Sequence, residues 1–184
     1  MTLLDKSDQE AVTAAINEVE RETDAELVTV LTAQADNYNY IPLVWAGILA
    51  LLVPGICNYF GSWFGADMLM LVQWGTFALL SLLFRMPGIN TRLIPRQVRY
   101  WRASNLARRQ FLEQNLHHTE GSTGMLIFVS EAERYVEILV DQGIADVLDN
   151  SVWESIVTDF TAKVHQGQTR QGFLDCIAAC GKLL

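Results

Sequence analysis

The side chains best able to do chemistry in this 184-residue chain are carboxylates and guanidiniums rather than nucleophiles. Asp141 closes an apolar, β-rich run and stands directly before Gln142-Gly143-Ile144. A carboxylate beside a glycine turn suits a divalent cation, because loop carbonyls can join it as oxygen ligands. The same residue type in the same place also caps a following helix or closes a turn. Asp146 and Asp149 lie close by and keep a calcium site open, although their spacing is not that of an EF-hand loop. His117 and His118 end a predicted helix and His165 sits late in another, positions that read as surface or helix-end histidines rather than general bases. The sequence has no Gly-x-Ser-x-Gly, phosphate-cradling Gly-x-x-x-x-Gly-Lys, His-Glu-x-x-His or dinucleotide fingerprint. Cys176 and Cys180, four apart on a terminal helix, read as small buried thiols.

The arginines follow a different logic. Residues 85 to 118 carry seven Arg against the single acid Glu113, in a chain whose net charge is -8. Arg85, Arg92, Arg96, Arg99 and Arg102 all lie just after two strongly apolar stretches, Ile41 to Phe60 and Met68 to Phe84, neither of which contains a charged residue or His. Twenty apolar residues match a hydrocarbon core about 30 Å thick, so the pair reads as a transmembrane hairpin. The second stretch is shorter and needs Arg85 to snorkel or the bilayer to thin. A start some forty residues into the chain is wrong for a cleaved signal peptide. Lys and Arg within about 20 residues of a membrane end set orientation, which predicts both flanks in the cytoplasm and the short loop outside. Tyr40, Trp45, Trp63 and Trp74 fit an interfacial belt in part. Near an anionic leaflet each Arg gains roughly 1 kcal/mol from headgroups, and the acidic body argues against nucleic acid, whose binding rests on phosphate neutralisation.

The elements that must position these groups can be read in order. Ser7-Asp8-Gln9-Glu10 fits a capping box opening a helix over 7–23, with Val12, Ile16 and Val19 on one side. Glu26 to Leu31 predicts a strand covered on both faces. Pro95 suits the first residue of a helix running to about Leu116, with Arg96, Arg99, Arg102 and Arg109 on one arc and Tyr100, Trp101, Ala107, Phe111, Leu112 and Leu116 on the other. Met125–Val129 and Tyr135–Val140 predict a β-hairpin. Ser151-Val152-Trp153-Glu154 reads as a second capping box, Gly167 as a helix stop, and Phe173, Ile177, Cys180 and Leu184 as the inner side of a last helix. The expectation is an α/β fold, a small mixed sheet flanked by helices in an α/β/α sandwich, interrupted by a two-helix transmembrane hairpin. Residues 1–39 and 88–184 form one discontinuous soluble domain, and 40–87 the hairpin, with helices over about 41–60 and 68–84. A parallel pairing of the first two strands puts Asp36 and the loop Glu131 to Arg134 at the lipid surface and Asp141 at the far end.

The run Gly124-Met125-Leu126-Ile127-Phe128-Val129-Ser130-Glu131-Ala132-Glu133-Arg134-Tyr135, continuing to Asp141-Gln142-Gly143-Ile144, resembles the TPM-domain family. Trp153, Ile156, Val157, Gly167, Gly172 and Gly181 resemble its closing helices, and Ala25 to Val30 with Asp36 and Tyr38 its first strand, in a bacterial branch that carries a membrane hairpin there. The family includes thylakoid-lumen proteins linked to photosystem II repair. The resemblance implies an α/β/α sandwich, with acid phosphatase activity or calcium binding in some members and accessory roles for membrane complexes in others. It makes Asp141, then Asp36, the positions to test for calcium or another divalent cation. Gln142 stands where the resemblance leads one to expect Arg. The leading expectation is a non-enzymatic accessory or quality-control factor for an envelope complex, in the bacterial inner membrane, with the bilayer and another membrane protein as partners. The alternative is a metal-dependent acid phosphatase acting at a carboxylate site.

Overall fold

A computed structural model describes residues 4–38, 40–61, 65–86, 94–119 and 121–184. Arg92 and Trp63, and the expected boundaries at 39, 87 and 88, lie outside them. The chain divides into two compact units, one built from residues 1–35 and 100–184, the other from residues 36–99.

The first unit is organised by a three-stranded mixed sheet. β1 (Glu26–Thr32) pairs in parallel with β2 (Gly124–Ser130), which pairs antiparallel with β3 (Tyr135–Val140), giving the order β1-β2-β3. β2 is central and buried at every residue, the expected fate of a continuous apolar run flanked on both edges. Alternation sends Leu27, Met125, Ile127, Val129, Val136 and Ile138 to one face and Val28, Val30, Leu126, Phe128 and Leu139 to the other. The first face is covered by α1 (Lys6–Glu22), α6 (Asn150–His165) and α7 (Thr169–Gly181), through Val12, Trp153, Phe160, Phe173, Ile177 and Cys180. The second is covered by α4 (Arg96–Glu113) through Ala103 and Ala107. The short helix α5 (Gln142–Ala145) follows β3.

Local signals were read correctly in type and misread in detail at the helix ends. The N-cap of α1 is Asp5, not Ser7. Its carboxylate accepts the N–H groups of Ser7 and Asp8, and Asp8 completes the box by accepting the N–H of Asp5. The second box is not formed. α6 starts at Asn150, its N-cap is Asp149, and no side chain caps it. Pro95 precedes α4, with its carbonyl accepting from Val98 and Arg99. α4 stops at Glu113 because Asn115 turns into the left-handed region at φ 56°, which drops Leu116 into a one-turn 3-10 helix and into the core. Trp101 and Leu112, on the arc opposite the arginines, are 59% and 56% exposed. The helix approaches the sheet over alanines, so large side chains stand off the contact line. Gly167 does end α6, at φ 76°, with its N–H on Val164 and that of Gln168 on Lys163, a Schellman arrangement.

The second unit holds α2 (Tyr40–Phe60) and α3 (Ala66–Phe84), both long and apolar enough to cross a membrane. They pack on each other, and α2 runs through Pro54 without ending. Their apolar side chains are not sequestered. Tyr59 and Phe60 are more than four-fifths exposed, and Leu51, Leu71, Trp74 and Leu82 about two-thirds.

Candidate functional site

Asp141 ends β3 as the N-cap of α5. One carboxylate oxygen accepts the N–H of Gln142 at 2.8 Å, while Oδ2 is shielded from solvent and has no hydrogen-bond partner among the described residues. The turn is packed hard against the segment before β2. Asp141 donates its N–H to the Gly124 carbonyl and Gly143 donates to that of Ser122, so both neighbouring carbonyls already accept a backbone proton. A Cβ on Gly143 would meet the Gly121 carbonyl oxygen at 2.5 Å, which is why a glycine is needed there. Asp36 belongs to the other compact unit and accepts the N–H of Asn37 at 2.7 Å. Among the described residues no three His, Cys, Asp or Glu side chains converge to hold a metal, so Asp146 and Asp149 do not gather around Asp141.

The arginines are distributed as follows. Arg85 is exposed and forms the C-cap of α3. Arg96, Arg99 and Arg102 succeed one another at three-residue intervals on α4, within a 120° arc. The Arg102 guanidinium lies 5.0 Å from the ring centre of exposed Trp101, within cation–π range.

At the opposite end of β2 from Asp141 lies a group that the sequence did not single out. Glu133, in the loop between β2 and β3, is 1% exposed. Its Oε2 accepts the Ser130 hydroxyl and the N–H of Ala35 at 3.1 Å, and Oε1 has no hydrogen-bond partner among the described residues. Two backbone bonds run alongside, from Glu131 N–H to the Thr32 carbonyl and from Ala132 N–H to that of Ala33, each 3.0 Å. The hairpin loop is thereby stapled to the residues that leave β1. Only the four-residue length of the loop and its two acids were visible in the sequence; burial of one acid depends on how the loop folds back.

A second polar seam joins α4 to β3. Ser104 donates to Glu137 at 3.3 Å, and the rings of Tyr100 and Tyr135 are 5.4 Å apart. Burial pushes the Tyr135 phenol up to about 12, Ser104 opposes the shift and Glu137 adds to it, so the hydroxyl stays protonated at neutral pH. Cys176 and Cys180 are buried and reduced. The Cys176 side chain, then burial, pushes the Cys180 thiol up, away from thiolate chemistry.

The family model of the TPM domain matches residues 96–183, from the start of α4 to the end of the last helix. The chain carries a TPM domain. Its β1 lies ahead of the matched residues, so in this protein the TPM sheet is completed by a strand on the far side of the apolar hairpin. The NMR structure of BA42 protein from the psychrophilic bacterium Bizionia argentinensis resembles the chain with a TM-score of 0.58 at 17% identity, over 98% of this chain and 81% of that one. At that identity the likeness speaks to the fold. No curated protein matches the chain.

Proposed function

We propose that the chain is an integral protein of the bacterial inner membrane whose TPM domain acts as an accessory or quality-control module for an envelope complex. The carrying observation is the hairpin, in which α2 and α3 are long enough to span and present large apolar side chains outward. Such a surface favours lipid as its solvent, since soluble proteins rarely expose large contiguous apolar area. The arginine excess after α3 supports cytoplasmic placement of both flanks. Gln73 and Thr76 in α3 supply groups that another membrane helix can hydrogen-bond.

Membrane fractionation followed by an alkaline carbonate wash tests the first element: the chain is expected to stay in the pellet, and release into the wash would overturn it. A reporter at Leu184 that is active only after export should be silent. Metal-dependent phosphomonoester hydrolysis is the second reading, favoured by the unpartnered Oδ2 of Asp141. Hydrolysis of p-nitrophenyl phosphate by purified protein, with and without calcium or magnesium, decides between them. Turnover lost in Asp141→Ala and in Asp141→Asn would replace the accessory reading; calcium binding without turnover would remove the enzyme.

A further inference from the structure

Beside the stapled loop, on the sheet face covered by α6, a cavity of about 360 Å³ opens between β2, β3 and that helix. Its volume is in the range of small-ligand sites, about 300–1,000 Å³. It lies at the carboxyl end of the parallel β1–β2 pair, where open α/β sheets place ligands. Val129, Val136, Phe160 and Val164 form the apolar part of its lining, beside Ser130, Tyr135 and Thr161. The rim carries Arg134 and His165, with Glu131 also present. Arg134 forms no ion pair among the described residues, whereas Glu131 is already engaged.

Arg134 is informative for a second reason. Its φ is 53°, the left-handed region that disfavours a side chain and suits glycine. A long cation is thus held where the hairpin loop would be easier to build with Gly, at the mouth of a cavity whose lining is apolar in part. Strained backbone of this kind concentrates at binding sites.

We propose that this cavity binds an amphipathic organic anion, with a carboxylate or phosphate head held by Arg134 and His165 and an apolar body seated on Phe160 and the three valines. The guanidinium offers paired donors matched to either head group, and the imidazole adds an N–H. The chemistry fits a free small anion or the headgroup of an anionic lipid. The site does not depend on Asp141 or on the accessory role.

The test uses the full chain in phosphatidylcholine nanodiscs with methyl-labelled valine. Phenylphosphonate is added as the free anion, benzyl alcohol as its uncharged counterpart, and a parallel sample carries phosphatidylserine with no added ligand. Shifts of the Val129, Val136 and Val164 methyl resonances with phenylphosphonate, or in the phosphatidylserine discs, are expected, and which sample shows them names the source. Arg134→Gly should weaken the response at least tenfold while melting no lower than the parent, and Arg134→Lys should restore part of it. Should the glycine variant fail to fold, Arg134→Gln carries the same comparison. No shift in either sample, an equal response from benzyl alcohol, or an undiminished response in the Arg134 variants would overturn the proposal.

Discussion

The two ends of β2 each carry a carboxyl group at a turn, and the two groups are used differently. Asp141 caps a helix, with one oxygen on the adjacent N–H and its turn fixed by glycine against a neighbouring backbone. Glu133 reaches across from one chain segment to another separated from it by 98 residues, and is buried in doing so. The first holds a local turn; the second holds the place where the chain leaves the sheet for the apolar hairpin. Residue type and neighbouring glycine point to Asp141, whereas depth and long-range partners point to Glu133. A carboxyl group matters to the fold in proportion to what is left unsatisfied when it goes.

That contrast is broken most severely at Glu133. Glu133→Ala strands the buried Ser130 hydroxyl, removes the acceptor of the half-buried Ala35 N–H and leaves a void, and should cost about 2–4 kcal/mol. Glu133→Gln keeps an oxygen in place and should lie within about 1 kcal/mol of the parent. Denaturant unfolding reads both, and the double variant with Ser130→Ala should be clearly non-additive. If Glu133→Ala unfolds like the parent, the staple is decorative. The Asp141 end is next, through its packing: Gly143→Ala drives a methyl into the Gly121 and Ser122 carbonyls and should cost about 1–3 kcal/mol. Asp141→Ala removes one cap and should cost about 1 kcal/mol, with Asp141→Asn recovering most of it. An Asp141→Ala loss larger than that of Glu133→Ala would reverse the comparison.

The three strands, their parallel and antiparallel pairings and the order of helices were legible because they rest on local signals: β-branched runs, a four-residue loop, helical spacing, a glycine stop. The inward face of α7 was legible for the same reason, since Phe173, Ile177 and Cys180 recur at helical intervals and are buried. Caps were harder. Asp5 with Asp8 and Ser7 with Glu10 fit the same pattern two residues apart, and only the backbone path chooses. On α4, the arc opposite the arginines did not tell which of its residues touch the sheet: close approach to Leu126 and Phe128 selects Ala103 and Ala107, and Trp101 is left exposed. Glu133 was illegible because its burial comes from the loop folding onto residues 32–35, a contact with no periodic signature. The cavity under Arg134 was hidden for the same reason, being assembled from two strands, a loop and a helix.

The smallest effect separates buried from exposed carboxyl groups by pH. Asp175 on α7 is held below the ordinary carboxylate range by its hydrogen bond from Lys163 on α6, then by Gln171. A group whose folded pKa is depressed contributes stability above its unfolded pKa and loses it as pH falls through the folded value. The Lys163–Asp175 contribution should therefore be complete at neutral pH and vanish below the ordinary carboxylate range. Both side chains are at least a third exposed, so solvent and salt screen the pair and its contribution stays small. Asp175→Asn should flatten the acid limb of the stability curve slightly and leave the neutral plateau nearly unchanged, in thermal melts between pH 7 and pH 3. A neutral-pH loss as large as that of Glu133→Ala would mean that a surface pair and a buried staple carry equal weight, against the difference in their burial.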